Sequence, residues 1–324
     1  MGEERFLVTG ALGCIGAWVV RNLVRDGVLT TVFDLAGDPY RIRLIMTPDE
    51  LARVRFMAGD ITDLNAVQRA FEESGATQVI HLAALQVPAC RANPPVGARV
   101  NIVGTVNLFE AAKQAGLRRV VYASSIAAYG PQEDYPPGPL AHDAVLRPRT
   151  HYGVTKQANE GTARAYWFDD GLSSIGLRPA VVYGPGRDQG LTSGPTKAML
   201  AAALGQPYHI LFGGRCDIQY ADDVAKTFIR AARAPFEGAA AFNLRGHVVT
   251  MSELVAAIEA AEATSRGRIT FEDKPLPFPT EADESAILTA LGPLPHTSLA
   301  EGIAATIGTF KHALATGHLT ADSL

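Results

Sequence analysis

Thr9-Gly10-Ala11-Leu12-Gly13-Cys14-Ile15-Gly16 stands between an apolar run, Phe6-Leu7-Val8, and a stretch from Ile15 to Arg25 whose spacing predicts a helix stopped by Gly27. Glycines three apart let a backbone turn tightly and come close to a diphosphate. The helix behind them offers free N–H groups and the positive end of its dipole. Asp34 ends the next β-branched run, Leu29-Thr30-Thr31-Val32-Phe33, 24 positions after Gly10. A carboxylate there accepts hydrogen bonds from an adenosine ribose and repels a 2′-phosphate, which favours NAD over NADP. Arg41 and Arg43 lie nearby and keep NADP open.

The pattern continues outward from this turn. Val54–Met57, Val79–Leu82, Val120–Ala123 and Ser174–Arg178 read as further strands. Thr62 to Ser74 with Thr62 as N-cap, Val100 to Ala115 stopped by Gly116, and Tyr152 to Phe168 read as helices between them. Strands alternating with helices imply right-handed crossovers and a parallel sheet covered on both faces. After Tyr183 the texture changes. Gly184 to Gly194 is a Gly- and Pro-rich loop, and Asp222 to Ala234 a helix. Ala241–Leu244 is a short strand able to rejoin the sheet, Ser252 to Ala263 a helix capped by Ser252, and Leu299 to Leu314 a last helix. Lys274 to Thr280 contains three prolines and is extended.

The chain has 324 residues, 47% hydrophobic and 19% charged, enough to bury a large core and unlike a disordered or disulfide-dense chain. Lysine plus arginine is 29 against 33 acids, a net charge of −4, so no basic excess points to nucleic acid or an anionic membrane. Cys14, Cys90 and Cys216 form no CxxC pair and no zinc set, and no metal site is expected. Met1 to Arg5 carries two acids where a secretory signal has positive charge, and no run approaches a membrane span, so a soluble cytoplasmic protein is expected.

Tyr152-Gly153-Val154-Thr155-Lys156 places a phenol and an ammonium on one helix face. A free phenol titrates near about 10, and a close cation favours its ionised form, which suits Tyr152 to general base work. Ser124-Ser125 closes the fifth strand at the carboxyl edge, where α/β sheets build their sites and where a hydroxyl can bond a substrate oxygen.

Together these pieces resemble the extended short-chain dehydrogenase/reductase family, also called the NAD-dependent epimerase/dehydratase family, over roughly residues 5 to 310. The matching stretches are the glycine turn, Gly59-Asp60-Ile61-Thr62-Asp63, His81-Leu82-Ala83-Ala84, Asn101-x-x-Gly104-Thr105-x-Asn107, Ser124-Ser125-x-x-x-Tyr129-Gly130, Tyr152-x-x-x-Lys156, Arg178-Pro179-x-x-x-Tyr183-Gly184-Pro185-Gly186 and Asp222-Asp223-Val224-Ala225. The resemblance implies an α/β fold: a Rossmann-like doubly wound parallel sheet with a smaller, discontinuous C-terminal substrate lobe. The nucleotide domain would comprise residues 1–183 plus 217–247, and the lobe 184–216 plus 248–324. It implies Ser125, Tyr152 and Lys156 as the catalytic triad, with Ser125 preferred to Ser124 by register. It implies NAD contacts at Gly10, Gly13, Cys14, Ile15, Gly16, Asp34 and Leu35, at Asp60 and Ile61 near adenine, at Leu82, Ala83 and Ala84 along the diphosphate–ribose path, and at Asn101, Tyr152, Lys156 and Val181. It further implies a homodimer through the helices around 100–115 and 152–168.

Departures from the family pattern bear on the substrate. Many nucleotide-sugar members carry an arginine where this chain has Cys216 and an asparagine where it has Val181. They also carry a late arginine that Lys274 to Glu284 lacks. Arg215 and Arg187 are the available substitutes in a shifted register. A diphosphate without charge-assisted donors binds badly, so a small substrate is expected: a free sugar, sugar acid, lactone or polyol, or another hydroxy compound. Gln86, Cys90, Arg91, Ser125, His151, Arg187 and Thr192 are the candidates to touch it. The leading expectation is a dehydrogenase passing hydride from a secondary alcohol to NAD. The alternative is a sugar or nucleotide-sugar epimerase that retains NAD, and a third is a non-catalytic NAD sensor. Ile126-Ala127 offers no acid pair of the dehydratase kind.

Overall fold

The computed structural model describes residues 3–320. Twelve strands are described: β1 (Arg5–Thr9), β2 (Leu29–Asp34), β3 (Val54–Ala58), β4 (Gln78–His81), β5 (Arg119–Ala123), β6 (Ser173–Arg178), β7 (Val181–Tyr183), β8 (Tyr208–Ile210), β9 (Arg215–Tyr220), β10 (Ala239–Asn243), β11 (His247–Thr250) and β12 (Ile269–Phe271). Seven form one sheet in the order β10-β6-β5-β4-β1-β2-β3, every neighbouring pair parallel. This is the doubly wound Rossmann-like fold. The strand order reverses at β1, and the carboxyl ends of β1 and β4 open the crevice where such sheets take ligands.

Both sheet faces are covered, which is why β1 reads as a continuous apolar run. Phe6 and Val8 pack on one side with Trp18, Val19 and Leu23 of the helix Cys14–Arg25 and with Phe228 and Ile229 of the helix Ala221–Arg233. Leu7 points the other way, into a cluster with Val67, Phe71, Leu108, Phe109 and Tyr122.

A second sheet, β11-β9-β7, stands apart, with β7 parallel and β11 antiparallel to β9. Thus 181–183 and 217–220, grouped by sequence with the nucleotide domain, pair with each other, and β9 pairs on its other side with β11, outside the seven-stranded sheet. A third pair joins β12 to β8.

Local details differ from expectation for physical reasons. Asp63, not Thr62, caps the helix Leu64–Ser74, accepting from the N–H of Asn65 at 2.9 Å, while the Thr62 N–H is held by Asp60. Thr250, not Ser252, caps Met251–Ala261 in a reciprocal capping box with Glu253, which leaves Ser252 inside the first turn. The expected helix from Val100 begins earlier, as Pro94–Ala98, and passes through a π-helical turn, Arg99–Val103, before Gly104–Gln114. Gly194–Leu204 is an additional helix, almost wholly buried.

Candidate active site

The glycine turn shows why glycine stands there. Gly10 has φ +69°, and a β-carbon on it would lie 2.4 Å from the backbone nitrogen of Ala83. A β-carbon on Gly16 would lie 2.5 Å from Cα of Ala11. The strand ends β1 and β4 thereby meet closely. Beneath them buried His81 bridges the hydroxyls of Thr9 (2.7 Å) and Thr105 (3.1 Å). Burial pushes its imidazole down to about 3, so it is neutral at ordinary pH. Gly13 is the N-cap of Cys14–Arg25 and brings no side chain to the first N–H groups, which leaves them to a ligand.

A cavity of about 640 Å³ runs from this turn along the carboxyl edge of the sheet. Of the sequence-derived cofactor positions, Gly10, Gly13, Cys14, Ile15, Gly16, Asp34, Leu35, Asp60, Ile61, Leu82, Ala83, Ala84, Tyr152, Lys156 and Val181 all lie on its wall. Asp34 accepts from the N–H of Leu12 (2.8 Å) and of Leu35 (2.9 Å), which presents its carboxylate at the end of β2. Burial raises its pKa, opposed by those two N–H groups and by the Arg41 guanidinium. Arg41 also lines the cavity, paired with Asp188, whereas Arg43 pairs with Asp38 on the surface. Glycine turn, uncapped helix end and the Asp34 carboxylate make a donor and acceptor set that fits a dinucleotide.

Asn101 stands behind the wall. It is fully buried, accepts from the N–H of Leu85 (2.7 Å), and donates to the carbonyl of Leu85 (2.9 Å) and to Thr155 (3.1 Å), which pins the Ala83–Leu85 segment to the long helix His151–Asp170.

The two serines separate cleanly. Ser124 is buried and donates to Glu160 at 2.6 Å. Glu160 also takes a two-point ion pair from buried Arg178, both contacts 2.7 Å. Ser125 instead lines the cavity and hydrogen-bonds the Tyr152 hydroxyl. Thr150 caps the helix, accepting from the N–H of Gly153 at 3.0 Å, and so aims Tyr152 and Lys156 into the cleft one turn apart. The Lys156 ammonium donates to the carbonyl of Ala123 at 2.7 Å and lies 5.5 Å from the Tyr152 ring centroid.

The electrostatics differ from the sequence expectation. Burial is the largest influence on Tyr152 and raises its pKa; the Ser125 hydrogen bond and the Arg187 guanidinium oppose it. Burial is also the largest influence on Lys156, whose pKa falls to about 8. Phenol and ammonium, close in proton affinity in water, are therefore driven apart, and the ammonium becomes the more acidic of the two.

Of the expected substrate contacts, Gln86, Ser125, Arg187 and Thr192 line the cavity. Arg91 and His151 point to solvent, and Cys90 is buried beneath Leu85, whose carbonyl accepts from its thiol at 3.3 Å. Asp217, Leu276 and Phe278 also line the cleft and were not singled out by sequence. They come from strands and loops far along the chain, with no motif to mark them. Burial pushes Asp217 up to about 7, against hydrogen bonds from the N–H of Gly246 and the amide of Gln219. Among the described residues there is no cluster of His, Cys, Asp and Glu suited to a metal ion, and no helix long and apolar enough to cross a membrane.

Comparison with known proteins bears on this site. Residues 6–244 match the profile of the NAD dependent epimerase/dehydratase family. A UDP-glucose 4-epimerase of Mycolicibacterium smegmatis is 32% identical over 323 residues, covering 95% of this chain and 99% of that one. The structure of a Thermus thermophilus UDP-glucose 4-epimerase in complex with NAD aligns at TM-score 0.80 and 27% identity, over 96% and 100% of the two chains. A partial-consensus L-threonine 3-dehydrogenase aligns at TM-score 0.82 and 25% identity, over 95% and 99%.

Proposed function

Because this chain belongs to the NAD dependent epimerase/dehydratase family, we propose that its cleft oxidises a secondary alcohol of a small carbohydrate-like substrate, a free sugar, sugar acid or polyol, with NAD as the hydride acceptor. The observation that carries this reading is the convergence of Ser125, Tyr152 and Lys156 with the glycine turn and Asp34 on one cavity. NAD, when bound, supplies the hydride chemistry at its nicotinamide. Tyr152 takes the hydroxyl proton of the substrate. Ser125, bonded to the same phenol, orients the substrate oxygen. Lys156, held by the Ala123 carbonyl, keeps a positive charge beside the phenol below about pH 8.

The small-substrate reading draws on the far end of the cleft. Cys216, Val181, Leu276, Phe278 and Pro279 line it, and its Arg215 is turned to Glu281 at 3.6 Å. The L-threonine 3-dehydrogenase neighbour is likewise named for a small hydroxy compound. Epimerisation with retained NAD is the second reading, favoured by the end-to-end match to the mycobacterial UDP-glucose 4-epimerase. Incubation with candidate sugars, sugar acids, polyols and UDP-sugars, with and without added NAD, separates the two. Accumulating NADH supports the dehydrogenase, and an isomeric product without net NADH supports the epimerase. We also place a second copy of the chain against the π turn Arg99–Val103 and the helices Gly104–Gln114 and His151–Asp170, where Val103, Val106 and Val154 are exposed.

A further inference from the structure

We propose that Arg187 is the cationic contact for the diphosphate of the bound dinucleotide, carried across the cleft by the turn that begins at Gly184. The inference rests on the reading of the cleft as a NAD site and deepens it.

The turn is docked on the helix behind the glycines. The carbonyl of Pro185 accepts from the Trp18 indole at 3.0 Å and from the Cys14 thiol at 3.9 Å. Gly184 and Gly186, with φ +135° and +89°, allow the reversal that this docking requires. Two residues past Pro185, Arg187 lines the cavity and lowers the proton affinity of both the Cys14 thiol and the Tyr152 phenol. Its charge is therefore felt both at the first turn of the Cys14–Arg25 helix, the end suited to a diphosphate, and at the Ser–Tyr–Lys group on the same cavity wall.

That charge has no carboxylate partner among the described salt bridges. Its terminal nitrogens donate to two neutral acceptors, Gln86 Oε1 at 3.2 Å and Thr192 Oγ1 at 2.8 Å, and its buried Nε–H has no acceptor. A guanidinium carries five N–H donors, so most of this fork is unused. The adjacent Asp188 is turned away, to Arg41 and Tyr40. Arg41 and Arg215, the other arginines on the cavity wall, are each tied to a carboxylate. The glycine turn supplies backbone N–H groups and no cationic side chain. A desolvated cation facing such a turn is matched by an anionic group with several oxygens. Gln86 and Thr192 hold the fork in place beforehand. Gly190 keeps room for that brace: with φ +96°, a β-carbon on it would lie 2.0 Å from Gln86 Oε1.

The test measures binding by calorimetry to protein freed of nucleotide, with NAD, ADP-ribose and adenosine as probes. In Arg187→Met, NAD and ADP-ribose are expected to bind ten- to a hundredfold more weakly, with adenosine unchanged. Wild-type affinity for ADP-ribose in this variant overturns the proposal. So does a variant whose only defect is a raised KM for the alcohol substrate, which transfers Arg187 to an acid group on the substrate. If Arg187→Met does not fold, Arg187→Lys decides, because it keeps the charge and loses the fork: a loss of at least about fivefold for ADP-ribose supports the assignment, and wild-type binding refutes it. Failure of the wild-type protein to bind NAD or ADP-ribose would instead remove the NAD reading on which the inference stands.

Discussion

At the glycine turn Gly10 and Gly16 leave no space for a β-carbon, and the cleft is walled by main chain. At the opposite end Cys216, Asp217, Leu276 and Phe278 present side chains from strands and loops that do not belong to the seven-stranded sheet. The first wall is made of distances that no substitution preserves. The second is made of shapes and charges that neighbouring substitutions can re-form. Recognition of a constant ligand can rest on main chain, whereas recognition of a variable one needs replaceable side chains.

The sharpest test lies where the two walls meet. Tyr152→Phe is expected to lower turnover by about 10²–10⁴-fold while NAD binding measured by calorimetry stays near wild type. Survival of wild-type rate would remove Tyr152 from the chemistry. In the wild type the rate should fall as pH rises past about 8, where Lys156 gives up its proton, and Lys156→Met should abolish that alkaline limb.

Gly10→Ala tests the main-chain wall. Its β-carbon meets the Ala83 nitrogen at 2.4 Å in a left-handed backbone, so NAD affinity should drop by about a hundredfold and stability by about 2–4 kcal/mol, read by urea unfolding. An unchanged melting curve together with wild-type NAD affinity would mean that this wall yields, and the contrast would vanish.

Asp217 tests the side-chain wall, with a smaller effect. Its carboxyl pKa rises from the ordinary 3.8 to about 7 in the folded protein. The fold therefore gains from the protonated form, fully below about pH 4, and loses that gain as pH climbs to 7. Asp217→Asn should flatten this dependence. The difference in unfolding free energy between variant and wild type should shift by about 2–4 kcal/mol between pH 4 and pH 7, with NAD binding untouched. Parallel stability curves for the two proteins over that range would argue against a carboxyl whose burial outweighs its two hydrogen bonds.

The same contrast explains what could be read from sequence. Gly10, Gly13, Gly16 and Asp34 are dictated by backbone geometry at fixed separations, so their spacing announces them. Tyr152 and Lys156 share a helix face for the same reason. Helix Gly194–Leu204 stayed hidden because it is apolar nearly all round and has no polar stripe to give it a period. Strand β7 is only three residues long and buried, β9 is buried beyond Arg215, and nothing in Val181-Val182-Tyr183 tells which sheet it joins. Asn101, which the family resemblance places at the cofactor, lies in the π-helical turn Arg99–Val103 and spends its amide on Leu85 and Thr155, a local winding that spacing does not report.

Strand β10 lies beside β6 at the sheet edge, and Arg178 of β6 bonds Asn243 of β10 at 3.2 Å through the same guanidinium that grips Glu160. The sheet is thus finished by chain that arrives only after β7, β8 and β9 have been made. A gene cut once after Tyr183 would yield a nucleotide half with an open edge and an arginine stripped of one acceptor. Exchange of substrate lobes between relatives of this protein therefore needs at least two crossover points, one on each side of β10.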